Sequence, residues 1–128
     1  IAYLNTLHTT VAGQIDHDIK ISVLGFSQGA ATASRWLMDG SVKADRMILW
    51  AGILPFDLDL KQAPDRLGDI EKICVYGTRD PYLSDEKMKE MTDLAGRTNL
   101  LFNYKKFDGA HDIDEEMLKE LFSDQDSR

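Results

Sequence analysis

Cysteine is nearly missing from this sequence: Cys74 is the one thiol in 128 residues, so no disulfide can form within the chain. It sits in Lys72-Ile73-Cys74-Val75-Tyr76, an apolar run that reads as a buried strand, and a small core residue is its expected role. No block of Lys or Arg interrupts a formal net charge of −7, which excludes a nucleic-acid backbone as partner. No apolar run is long enough to span a membrane. No set of His, Cys, Asp and Glu has metal-ligand spacing, and no glycine-rich phosphate loop occurs. The chain also lacks repeats, low-complexity stretches and an interdomain linker. It does not open like a gene product. Ile1, Leu4, Leu7, Val11 and Ile15 mark an amphipathic helix with no Ser, Thr, Asp or Asn before it as a cap. The expectation is one domain over residues 1–128 whose true N-terminus lies elsewhere, so the missing signal peptide carries no weight.

What is present alternates. Hydrophobic residues make up 43%, enough for a core. Lys20 to Phe26 is a short β-branched run that reads as a buried parallel strand. Ala30 to Met38 predicts a helix stopped by Asp39-Gly40. Arg46 to Trp50 predicts a second strand, and Ala51 to Leu67 reads as mostly loop, with Gly52, Pro55 and Pro64 as breakers. Glu71 to Tyr76 predicts a third strand. Asp85 to Ala95 predicts a helix capped by Ser84. Leu100 to Phe107, more polar, reads as an edge strand. Ile113 to Phe122 predicts a last helix, with Ile113, Met117, Leu118 and Leu121 on one face, Asp112 as cap, and a frayed tail after it. Strands alternating with helices imply an α/β fold, a mostly parallel sheet of about four strands with helices on both faces.

Gly25-Phe26-Ser27-Gln28-Gly29 is a G-x-S-x-G motif. The bare pattern turns up by chance in roughly a few per cent of chains this long. Here its context sharpens it, because a strand ends at Phe26 and a helix follows Gly29. The chemistry needs a serine in a sharp strand-to-helix turn, its hydroxyl pushed above the sheet, with Gly25 and Gly29 relieving the crowding. The Gln28 N–H, at the start of the helix, is the natural oxyanion donor. The plain alternative is that Ser27 merely caps a helix.

Acid and base follow in chain order. Asp80, in Gly77-Thr78-Arg79-Asp80-Pro81, lies directly after the third strand, and His111, in Gly109-Ala110-His111-Asp112, directly after the fourth. Loops at the carboxyl ends of parallel strands are where ligands meet the sheet. Taken singly, Asp80 could initiate a turn and His111 could precede a helix without chemistry. Three such positions in the order Ser27, Asp80, His111 make the strongest signal in the chain. Asp85 is the rival acid, but it reads as a first-turn helix residue. His8 and His17 have no strand-end context.

These residues carry a resemblance. Leu24-Gly25-Phe26-Ser27-Gln28-Gly29, Ala51-Gly52-Ile53-Leu54-Pro55, Tyr76-Gly77-Thr78-Arg79-Asp80-Pro81 and Gly109-Ala110-His111 together resemble the phospholipase/carboxylesterase family of α/β hydrolases, which includes the acyl-protein thioesterases. The resemblance implies the C-terminal portion of that fold. It also implies that a His-Gly-rich loop bearing a second oxyanion donor is absent from these residues. Ala30 stands where the family often has another glycine.

A serine hydrolase of carboxylic esters or thioesters is therefore expected, working through an acyl-serine with no cofactor or metal. Ile53, Leu54 and Phe56 are candidates for an acyl pocket, or else simply cover the sheet. The single unpaired thiol favours the cytoplasm. The strand Lys20–Phe26 would be an open edge, which either a further N-terminal segment covers or through which a homo-oligomer forms. The rival readings are a serine peptidase of related fold, a dienelactone hydrolase relative (disfavoured because that family uses a cysteine nucleophile), and a non-catalytic fragment or binding module.

Overall fold

The computed structural model describes residues 21–39, 43–55, 57–59 and 61–126. The amphipathic pattern of residues 1–15, together with His8, His17, Gly40 and Phe56, lies outside them. Four strands, β1 (Ser22–Phe26), β2 (Arg46–Trp50), β3 (Glu71–Gly77) and β4 (Asn103–Phe107), pair in the order β1-β2-β3-β4. Every pairing is parallel, with Phe26 opposite Trp50, Trp50 opposite Val75, and Gly77 opposite Phe107. All four strands therefore end at one edge of the sheet, and every loop leaving them starts there. Helices α1 (Gly29–Met38), α2 (Ala63–Leu67), α3 (Asp85–Arg97) and α4 (Glu115–Asp126) complete the described residues.

The pleat sorts the core into two layers. Met47, Leu49 and Cys74 point to one face, where they are buried with Ala30 and Leu37 of α1, Ala63 and Leu67 of α2, and Met91, Leu94 and Ala95 of α3. Ile48, Trp50, Ile73 and Val75 point to the other, against Leu121 of α4 and Phe107. Helices thus cover both faces, and β2, buried along its whole length, is the spine of both layers. Its continuous apolar run reflects burial on both sides.

Two buried cations brace the ends of this core. Lys72 turns its ammonium onto the carbonyl oxygens of Leu67, Gly68 and Ile70 at 2.9, 3.3 and 2.6 Å, using all three donors to close the segment after α2. Burial lowers its pKa, and Asp69 offsets part of that. Arg46, at the start of β2, donates from Nε to Ser22 Oγ at 3.1 Å and from Nη1 to the Leu121 carbonyl at 2.6 Å. Its guanidinium lies 4.7 Å from the centre of the Phe122 ring, so one side chain ties β1, β2 and α4 together.

Several boundaries differ from expectation. Within the mostly irregular segment Ala51 to Leu67, Ala63–Leu67 forms a short helix that the sequence reading did not place, with Pro64 in its first turn, where a missing N–H does no harm. The fourth strand begins at Asn103 rather than Leu100. The last helix begins at Glu115, so Ile113 precedes it and is 45% exposed instead of sharing its buried face. Its cap is Asp114, whose Oδ2 accepts the Met117 N–H at 2.9 Å, and not Asp112. The residues expected to fray continue the helix to Asp126. Ser84 does cap α3, its hydroxyl accepting the Lys87 N–H at 3.3 Å.

Cys74 is fully buried at the centre of β3, and burial pushes its thiol up to about 12. A thiol with so little thiolate at neutral pH should react with iodoacetamide only after unfolding. Mass spectrometry of the native and urea-denatured chain should find the label in the second sample alone.

Candidate active site

The chain leaves β1 at Phe26 and reverses at Ser27, which adopts φ 58, a left-handed conformation costly for a residue with a side chain. Two backbone bonds hold it there. The Ser27 N–H donates to the Trp50 carbonyl at 2.8 Å, and the Ser27 carbonyl accepts from the Ala30 N–H at 3.0 Å, opening α1. Gln28 occupies the N-cap position with no side-chain hydrogen bond of its own to the helix end. The first N–H groups of α1 lack intrahelical acceptors, as at any helix start, and lie next to the serine.

The two motif glycines are not equivalent. A Cβ at position 25 would collide with the Gly29 carbonyl group and lie 2.8 Å from Ala30 Cα, whereas a Cβ at position 29 would meet nothing within 4 Å. Gly29 therefore relieves no side-chain crowding, contrary to expectation; its backbone is the obstacle that makes Gly25 necessary. A third glycine, Gly52, does similar work from the loop after β2. A Cβ there would strike the Ser27 carbonyl oxygen and come within 2.6 Å of Ala30 Cβ. Ala30 is tolerated in α1 because Gly52 gives it room.

Asp80 and His111 sit on two loops laced to each other. The Thr78 N–H donates to the Phe107 carbonyl and the Arg79 N–H to the Gly109 carbonyl, each at 2.9 Å. Gly77 lets them approach, since a Cβ there would strike the Gly109 and Ala110 carbonyl oxygens. The Asp80 side chain is fully buried, and both oxygens have partners. Oδ1 accepts the Tyr82 N–H at 2.8 Å, and Oδ2 lies 2.7 Å from His111 Nδ1. On the far side of the imidazole, Nε2 lies 2.8 Å from Ser27 Oγ. With the carboxylate accepting from Nδ1–H, Nε2 is left as the acceptor for the serine hydroxyl. Trp50, at the end of β2, donates its indole N–H to the Asp112 carbonyl at 2.9 Å and so pins the histidine loop to the sheet. Aromatic rings flank the imidazole, Phe26 with its centroid at 5.2 Å and Tyr82 at 4.6 Å. Asp85 stays in the first turn of α3 and does not enter this chain of contacts.

Ser27 and His111 open into a cleft of about 1120 Å³. Ile53 and Leu54 line it, along with Ala31, Leu94 and, at its rim, Arg35 and Lys87. Leu54 is otherwise a core residue, its N–H against Met91 Sδ at 3.4 Å, so it forms floor, while Ile53 is half-buried. No group of three or more His, Cys, Asp or Glu side chains converges to hold a metal among the described residues. Sequence reasoning missed Trp50, Tyr82, Gly52 and Gly77. A glycine or aromatic at the end of a strand or in the loop that follows it was the available signal.

The sequence profile of the family described as phospholipase/carboxylesterase matches residues 2–123. Among solved structures, acyl-protein thioesterase 2 of Zea mays superposes with a TM-score of 0.72 at 21% identity, over 98% of this chain and 62% of that one. The carboxylesterase of Bacillus cereus gives 0.64 at 17% identity, over 97% of this chain and 57% of that one. S-formylglutathione hydrolase of Staphylococcus aureus gives 0.65 at 16%, over 91% and 57%. At these identities the likeness shows a shared fold, and the chain spans less than two thirds of the length of each. No curated protein matches it.

The contrast between the motif glycines is measurable. Gly25→Ala should lower stability by at least about 2 kcal/mol, because backbone must move. Gly29→Ala should stay within about 1 kcal/mol of the parent. Urea denaturation of both variants checks this, and equal losses would contradict the geometry.

Proposed function

This chain belongs to the phospholipase/carboxylesterase family, and on that footing we propose that it hydrolyses carboxylic esters or thioesters through an acyl-serine intermediate. The observation that supports the reading is the unbroken run from Asp80 Oδ2 through His111 to Ser27 Oγ, with contacts of 2.7 and 2.8 Å. In this reading His111 Nε2 takes the Ser27 proton as Oγ attacks the carbonyl carbon. The developing oxyanion meets the Gln28 N–H at the start of α1. Asp80 keeps the imidazole oriented and stabilises its charged form. Collapse of the tetrahedral intermediate breaks the bond to the alkoxide or thiolate, which leaves with the proton from His111. Water, deprotonated by His111, then attacks the acyl-serine, and the carboxylic acid departs as Ser27 regains its proton. The acyl chain lies along Ile53 and Leu54.

A fluorophosphonate probe should label Ser27, and Ser27→Ala should abolish the label. Asp80→Asn should slow ester turnover by about 10⁴-fold while leaving the fold intact, as loss of the orienting carboxylate does in comparable triads. A folded parent that takes no label and turns over no ester would favour a non-catalytic binding module instead.

The buried, unpaired thiol of Cys74 supports a cytoplasmic location. No helix among the described residues is long and apolar enough to cross a membrane. Among the described residues β1 has a strand neighbour only on its β2 side, which supports pairing of its outer edge with a second copy. Sedimentation should give a dimer; a monomer at every concentration would remove that part.

A further inference from the structure

We infer that Tyr82 selects the leaving group, favouring esters of aromatic alcohols. This rests on the ester hydrolysis proposed above and names its substrate class more closely. The two arms of an ester part at Ser27. Once His111 holds the serine proton, Nε2 must deliver it to the departing oxygen, so the leaving group lies on the imidazole side of the nucleophile. The acyl arm is then directed away from the imidazole, and Ile53 and Leu54 of the same cleft are available to it.

Tyr82 packs on the imidazole that delivers this proton. Its ring centre is 4.6 Å from that of His111, with the planes 54° apart, and it lines the same cleft as Ser27. Phe26 already occupies another flank of the imidazole at 5.2 Å. Yet Tyr82 remains 68% exposed, an unusual state for a large ring so close to a buried carboxylate. Its backbone is fixed by the N–H bond to Asp80 Oδ1 at 2.8 Å, so the ring is presented from an anchored position. A flat aromatic alcohol leaving from Ser27 can lie offset or edge-on against this open ring, and an aliphatic one of the same size gains less.

Tyr82 could instead act through His111, holding the imidazole. The two roles separate in time. The leaving group has gone once the acyl-serine has formed, so a leaving-group platform affects acylation only. A positioning residue affects deacylation as well.

The test compares benzyl acetate with cyclohexylmethyl acetate, which share an acyl group and nearly share size. The parent should favour the benzyl ester in kcat/KM on the order of three- to tenfold. Tyr82→Phe should keep the preference, and Tyr82→Leu should lose it. Breakdown of the acetyl-enzyme, followed by rapid quench and mass spectrometry, should run at the parent rate in Tyr82→Leu. A preference that survives in Tyr82→Leu overturns the inference, as does a parent without preference. So does a fall in deacylation alongside acylation, which assigns Tyr82 to positioning His111. A parent that takes the fluorophosphonate label but hydrolyses neither ester also overturns it, leaving the role of Ser27 standing. A parent that takes no label removes the underlying reading and the inference together.

Discussion

Much of this structure hangs on what Trp50 does at the end of β2. Its carbonyl accepts the N–H of Ser27 and so holds the left-handed turn; its indole N–H holds the carbonyl of Asp112 and so fixes the histidine loop. Its ring is buried and meets Phe107 at 5.9 Å, at the end of β4. One residue on the central spine thus sets the separation between Ser27 and His111. A contact of 2.8 Å between side chains 84 residues apart in sequence needs such a common reference, since neither loop could hold the distance alone. Backbone strain at Ser27 persists because the ladder around it over-determines the turn.

Parallel pairing does the rest of the positioning. With every strand running the same way, the chain must return to the start of the sheet through a helix each time, and each departure point falls on one edge. Ser27, Asp80 and His111 leave from β1, β3 and β4 in turn. The gap between Ser27 and the other two is spanned by β2, whose following loop contributes Gly52 beneath the serine and Ile53 to the cleft. The surface ion pair of Arg79 and Asp108, 70% and 89% exposed, lies on the same two loops and adds little by comparison.

The order of the elements and the three polar residues could be read from the sequence because both are written locally. A β-branched run with a glycine after it announces a strand and its end, and G-x-S-x-G carries its own geometry. What escaped was written between segments distant in sequence. Nothing near Gly52 says that Ser27 and Ala30 will press on it, and nothing near Gly77 announces the Gly109 carbonyl. The hydroxyl acceptor of Arg46 is 24 residues away and its carbonyl acceptor 75. Even the misplaced cap at the last helix has this origin: Asp112 and Asp114 are equally good caps by composition, and the demand of Trp50 on the Asp112 carbonyl belongs to tertiary structure. The assignment of Gly29 failed differently, because the motif fixes two glycines without saying which one lacks room for a side chain.

The grip of Arg46 on the last helix has an implication for cooperativity. The same clasp that joins β1 and β2 to the Leu121 carbonyl also keeps α4 seated over Trp50 and Phe107, directly after the loop that bears His111. Detachment of that helix would expose the face of the sheet beneath His111 and leave its loop held by Trp50 and the Asp80 loop alone, while the opposite layer with α1, α2 and α3 stayed packed. Ser27 and His111 therefore lean on different layers of one small domain, and the contact between them lasts only while both layers stay closed.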